Sequence, residues 1–174
     1  HSRMFKHLEY QINTSAEKYD LFWKEIVIRK VLNQADVIKK LGKSDEVYEN
    51  IKQLASETQI GDITNREAHA AKIYFNELME TTFSRGNDDI LLNSGLDYGY
   101  TIIRSYIARV CVGYGLNSQL GIHHRNEYNR FNLIDDLMEP IRPMLDIFAY
   151  QLLEDNEYFN VEHRRNLINF LNHK

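Results

Sequence analysis

Cysteine occurs once in the 174 residues and proline twice. A lone thiol cannot close an internal disulfide; Cys111, set among Ala108, Val110 and Val112, reads as a small buried apolar residue in a reducing compartment, and the expected location is the cytoplasm. With both prolines in one short stretch, Pro140 and Pro143, little in the chain breaks a helix. No apolar run approaches the ~18 residues that a membrane-spanning helix needs, so no membrane is expected as a partner. No signal peptide is visible, and an opening His1 in place of Met suggests a fragment or a processed product. A basic excess is missing as well. Lysine and arginine number 21 against 25 acids, and a net charge of −4 argues against a protein that coats nucleic acid indiscriminately.

What is present is ordinary soluble composition, 43% hydrophobic and 26% charged, at a length that suits one domain with a real core. The charge is unevenly spread. Residues 98–134 hold Arg104, Arg109, Arg125, Arg130 and two histidines against the single acid Glu127, whereas the stretch after them carries eight acids against four bases. The middle is where a polyanion could sit.

Apolar residues recur every three or four positions almost throughout, which predicts an all-α chain of about seven helices, with residues 1–174 as one helical domain. The first helix is expected over 3–11 and a long second over 16–41, with Leu21, Trp23, Ile26, Val27, Lys30-Val31 and Ile38 on its apolar face and Gly42 ending it. Ser44 opens a third. Thr64 with Glu67 three residues on has the form of a capping box and opens a fourth, 67–83. Residues 84–88 read as a mobile loop, 89–114 as a fifth helix, 115–130 as a loop or broken helix, 131–153 as a sixth helix kinked or broken at the prolines, and 162–171 as a seventh. Gly95 and Gly99, one turn apart, let another element approach closely.

Three places carry residues that could bind a metal: Glu67, the pair His123-His124, and the run Asp135-Asp136-x-x-Glu139. Carboxylates with one imidazole suit Mg²⁺ or Mn²⁺, hard ions that polarise a phosphodiester. Each also has a plainer reading. Glu67 could be only a capping carboxylate, a loop histidine only a surface group, and Asp135 and Asp136 only acids placed favourably at the positive end of a helix. On a helix, Glu139 would share a face with either aspartate.

Four stretches together, 65–75 (NREAHAAKIYF), 92–100 (LNSGLDYGY), 120–124 (LGIHH) and 136–143 (DLMEPIRP), resemble the CRISPR-associated integrase, the catalytic subunit that captures new spacers, and most closely its type II version. The resemblance implies a metal-dependent DNA endonuclease and integrase. In that family a glutamate in E-A-x-x-A-x-x-Y/F, a histidine closing G-x-x-H and an acid closing D-L-x-E bind the divalent metal, and these patterns fall on Glu67, His124 and Glu139. One shared ion would draw the three side chains to within about 6 Å of one another. Spacing from Gly121 selects His124 over His123, leaving His123 as neighbouring support and Asp136 as an outer-shell group. Arg66, Lys72, Arg125 and Arg142 lie in or beside the motifs and are the expected phosphate contacts, each with an ion-paired or solvated alternative.

The resemblance further implies a dimer, joined by a small ferredoxin-like adaptation subunit and by other type II CRISPR proteins. Double-stranded DNA is then both spacer precursor and repeat array, and a DNA 3′-hydroxyl attacks a repeat phosphodiester. A β-rich N-terminal domain normally mediates that dimerisation; nothing here reads as such a domain, so the chain is expected to be the helical catalytic lobe. Two other functions share parts of the pattern: a non-enzymatic helical interaction module, which has no reason to gather Glu67, His124 and Glu139, and a branched-DNA nuclease without an integration role.

Overall fold

A computed structural model describes residues 2–80, 88–154 and 159–172. Among the described residues the regular structure is helical: α1 (Ser2–Asn13), α2 (Ala16–Lys40), α3 (Asp45–Ser56), α4 (Arg66–Glu80), α5 (Asp88–Gly113), α6 (Asn132–Met138), α7 (Arg142–Leu153) and α8 (Val161–Asn169), with short 3₁₀ turns at Ile60–Asp62 and Phe170–Asn172. That is one helix more than expected, because the chain breaks at the prolines instead of kinking. Pro140 cannot continue α6, and Pro143 sits in the first turn of α7, where its missing N–H is not needed. Of the loop expected over 84–88, all but Asp88 lies outside the described residues, as does the end of the fourth helix.

The long helix α2 is the centre of the packing and touches α3, α4, α6 and α7. The Ser15 hydroxyl caps it by accepting the Lys18 N–H at 3.2 Å. At its other end Gly42 adopts φ 65°, and the Lys43 N–H returns to the Ile38 carbonyl at 3.1 Å, the left-handed stop that glycine favours. Trp23, Val27, Val31, Ala35 and Ile38 recur along one stripe and are buried, each large one contributing about 1.5–3 kcal/mol. Lys30 lies on that same stripe and is only 8% exposed, whereas Leu21, expected on the apolar face, is exposed.

α5 packs on α7, and the two glycines explain how. A Cβ on Gly95 would come within 2.6 Å of Leu153 Cδ1, and one on Gly99 within 2.5 Å of Leu145 Cδ2, so the leucines of α7 occupy the space where α5 has no side chains. Cys111 is buried near the end of α5. No helix among the described residues is long and apolar enough to cross a membrane.

Candidate active site

α4 starts within a residue of where its sequence suggests, but its cap is different. The helix opens at Arg66, and its first N–H groups are taken by Asp62, whose two carboxylate oxygens accept from Arg66 at 2.8 Å and Glu67 at 3.0 Å. Asp62, and not Thr64, caps the helix, and the turn before it holds Gly61, Asp62 and Asn65 at positive φ. The capping-box role expected of Glu67 is therefore not the one it plays. Its side chain reaches across to Lys30 of α2.

Glu139 meets the same ammonium. Lys30 donates to Glu67 Oε1 and to Glu139 Oε2, so one buried lysine bridges two acids from distant parts of the chain. The other oxygen of Glu139 accepts from Arg142 Nε at 3.0 Å. Glu139 sits where α6 ends, and Asn33 of α2 donates to the Pro140 carbonyl at 2.7 Å, which pins this junction against α2. A lysine at a core position of an amphipathic helix is costly unless paired; two carboxylates supply the pairing. Sequence reading counted Lys30 as part of the apolar face and missed its role. Its place on the buried stripe was the available signal.

The His123-His124 segment is built on Asp136. This fully buried carboxylate accepts the backbone N–H groups of Ile122 at 2.7 Å, His123 at 2.8 Å and His124 at 3.2 Å, and also bonds His124 Nδ1. That leaves Nε2 as the ring nitrogen free to face a ligand, the arrangement in which a carboxylate commonly orients a metal-binding histidine. The G-x-x-H spacing has a steric origin: a Cβ on Gly121 would lie 2.1 Å from the His124 carbonyl oxygen and 3.1 Å from Asp136 Oδ2. His123 stacks on the buried Trp23 ring, with centroids 4.1 Å apart and planes 4° from parallel, while His124 stands edge-on to the same ring. Asp136 therefore orders the backbone of the histidine segment, and His123 anchors it on Trp23.

The three acids of the D-D-x-x-E run thus separate. Asp136 holds the histidine segment, Glu139 holds Lys30 and Arg142, and Asp135 accepts from Arg104 at 2.9 Å and from Asn129 at 2.8 Å. His124 and Glu139 open, with Tyr100, Arg104, Asp135 and Arg142, into one cleft of about 440 Å³. The expected convergence of three ligands is met for Glu67 and Glu139, which share Lys30. It is not met for the triad, since among the described residues no three His, Cys, Asp or Glu side chains are gathered as a metal ion requires. Lys30 stands between the acids, and His124 is drawn to Asp136.

Behind the cleft lies a second buried acid that the sequence did not single out. Asp146 of α7 accepts from Tyr74 Oη at 2.7 Å and from Tyr100 Oη. Burial pushes its carboxyl up to about 6, against the pull of the two tyrosine bonds and of the charges of Lys30 and Arg142. Burial, reinforced by Asp146, raises both tyrosines well above the usual phenol range. Of the expected phosphate contacts, Arg66 pairs with Glu57 at 3.2 Å and Arg142 with Glu139, while Arg125 is exposed and lies over the Tyr19 ring at 5.5 Å. Lys72 is exposed on α4.

The family model described as "CRISPR associated protein Cas1" matches residues 5–169. A protein of Neisseria meningitidis serogroup C named "CRISPR-associated endonuclease Cas1" is 41% identical over 152 residues, covering 87% of this chain and 49% of the relative. A "CRISPR-associated endonuclease Cas1 1" of Francisella tularensis subsp. novicida is 32% identical over 122 residues, covering 65% of this chain and 36% of that protein. One of Pyrobaculum aerophilum is 28% identical over 161 residues, covering 83% and 52%. The chain spans about half the length of the first of these relatives or less. With a family model running over nearly its whole length and a relative 41% identical over 87% of it, the chain belongs to the CRISPR-associated Cas1 family.

Proposed function

We propose that this chain carries the catalytic centre of a divalent-metal-dependent DNA endonuclease and integrase, which inserts spacer DNA into a CRISPR repeat array by attack of a DNA 3′-hydroxyl on a phosphodiester. The observation that carries this reading is the meeting of Glu67 and Glu139 on one buried cation, with His124 and Glu139 opening into the same cleft. A helical interaction module has no use for two carboxylates, one of them buried, aimed at one point.

Glu67, Glu139 and His124 are the residues that would hold Mg²⁺ or Mn²⁺, and their chemistry fits. Two hard oxygen donors already share a cation, and the imidazole is oriented by a buried carboxylate that leaves one ring nitrogen open. Bound there, such an ion supplies Lewis-acid polarisation of a phosphodiester and favours an oxygen nucleophile. The chain's own groups would do the rest. Arg104 and Arg142 bring positive charge to the cleft wall, so a phosphodiester entering it meets two guanidiniums beside Glu139 and His124. Asp136 and Trp23 fix the histidine segment before DNA arrives, which lowers the cost of ordering it during the reaction. In this reading the working unit is a dimer with a small ferredoxin-like subunit, acting with other type II CRISPR proteins on spacer precursor and repeat array.

The test is strand transfer by the full-length protein with its partner and labelled DNA. Glu67→Ala, His124→Ala and Glu139→Ala are each expected to abolish product while circular dichroism stays helical. His123→Ala should lower activity without abolishing it, because the variant loses the stack on Trp23 and keeps the backbone bond to Asp136. Full activity in His124→Ala would remove that residue from the centre.

A further inference from the structure

Lys30 presents an unusual problem for a cation-binding centre. Its ammonium is buried, and it takes one oxygen from Glu67 and one from Glu139. Those are two of the three groups assigned above to the metal. Without a cation between them the carboxylates would repel each other at short range in a site of low polarity. Lys30 removes that repulsion and holds the acids at a separation that a single ion can span.

The same ammonium is an obstacle. Glu67 and Glu139 carry two negative charges, and Lys30 and Arg142, each bonded to them, carry two positive ones. Over these four groups the sum is already zero. Adding a divalent cation with Lys30 in place leaves two uncompensated positive charges, with ammonium and ion competing for the same oxygens. Withdrawing Lys30 halves that excess and frees both oxygens. A lysine on a flexible four-carbon stem can withdraw in a way that a guanidinium locked in a planar fork cannot.

We propose that Lys30 is an exchangeable resident cation of the centre: it keeps Glu67 and Glu139 assembled, and a divalent ion binds by displacing its ammonium. The inference rests on the reading of Glu67 and Glu139 as metal ligands. It makes Lys30 a positioning residue that works through those acids and sets how readily the centre takes up an ion. The exchange trades one cation for another at the same two oxygens.

The test compares wild type with Lys30→Met, which keeps the length of the side chain, and Lys30→Gln, which keeps an N–H donor. Mn²⁺ binding is followed by calorimetry, and thermal melting is recorded with and without Mn²⁺. Removing the competitor should tighten Mn²⁺ binding about tenfold or more, lower the melting temperature without the ion, and enlarge the rise that the ion produces. A variant that stays unfolded until Mn²⁺ is added supports the same exchange. Binding equal to or weaker than wild type in both variants overturns it, as does a variant that remains unfolded at saturating Mn²⁺, because the ion then does not replace the ammonium. Glu139→Gln separates the two readings. If it abolishes Mn²⁺ binding while both Lys30 variants bind like wild type, the ligand assignment survives and the exchange does not. If none of the proteins, wild type included, binds Mn²⁺, the assignment fails and takes the exchange with it.

Discussion

Two buried aspartates behave differently because of what surrounds them. Asp136 accepts three backbone N–H groups, bonds His124 and so organises a loop. Asp146 has only two phenol donors, Tyr74 and Tyr100, with Lys30 and Arg142 acting on it through space, and burial outweighs them. Its carboxyl, raised from an ordinary value near 4 to about 6, gives a pH signature whose sign can be worked out. As pH rises through that window the unfolded chain has already released this proton and the folded chain has not, so the folded state binds more protons and stability falls. Above about pH 6 the loss is complete, and two units correspond to something on the order of 3 kcal/mol. Asp146→Asn keeps the shape and cannot ionise. Urea melts of both proteins between about pH 4.5 and 7.5 should show wild type gaining on the variant as pH falls, since the other titrating groups are common to the two. A gap that does not move with pH would mean that Asp146 ionises in the fold as it does in the open chain.

At the scale of elements, the contact of α5 with α7 is set by Gly95 and Gly99, and it makes a quantitative test. Alanine in place of a helical glycine ordinarily gains about 1 kcal/mol of propensity. At Gly99 the new methyl meets Leu145 Cδ2 at 2.5 Å, and overpacking should reverse the sign, with a net loss of about 1–3 kcal/mol. Leu145→Ala alone should cost about 2–5 kcal/mol, because Leu145 is buried, and the double variant should lose less than the sum, since the methyl then enters space that the leucine vacated. Strictly additive losses would show that the two residues do not share that space. This contact was legible in the sequence because a glycine pair one turn apart is a local signal, and Gly42 and Ser44 were legible for the same reason: stops and caps are written within a few residues of where they act. The break at Pro140 and the covered face of α2 follow equally from local rules. What was not legible depends on the backbone geometry of a turn or on residues far apart in the chain. Asp62 takes the cap that Thr64 seemed to own because the turn at Gly61 brings its carboxylate under the N–H groups of α4. Lys30 looked like an interruption in an apolar stripe until Glu67 and Glu139 arrived from 37 and 109 residues away. Family motifs identified the acids and the histidine, but the cation between them and the Tyr74–Asp146–Tyr100 cluster behind them belong to tertiary structure.

For the molecule as a whole, the proposed function requires a chain of net charge −4 to hold DNA. The middle segment is rich in arginine, yet its charge is only partly available. Arg104 is paired with Asp135, and outside that segment Arg66 is paired with Glu57 and Arg142 with Glu139. Each such pair must be loosened or shared before its guanidinium can neutralise a phosphate, and it brings a carboxylate along that repels the backbone. Lys72, Arg109, Arg125 and Arg130 are exposed and do not face that cost in the same way. If three or four of them meet phosphates, double-stranded DNA should bind the 174-residue chain weakly, with log K falling against log salt at a slope of about −3. Arg125→Gln and Arg130→Gln should each flatten that slope by about one unit and weaken binding alike on unrelated DNA sequences, because phosphate contacts position a duplex without reading it. Strand transfer by this chain alone should be slow for a separate reason: a duplex has two ends, and inserting both needs two centres at a fixed separation. Fluorescence anisotropy over a salt series, with sedimentation and a strand-transfer assay in Mn²⁺ on the same sample, measures all of this. Tight, salt-insensitive binding, or brisk two-ended integration by a monomer, would mean that the paired arginines open to DNA at little cost and that one centre is enough.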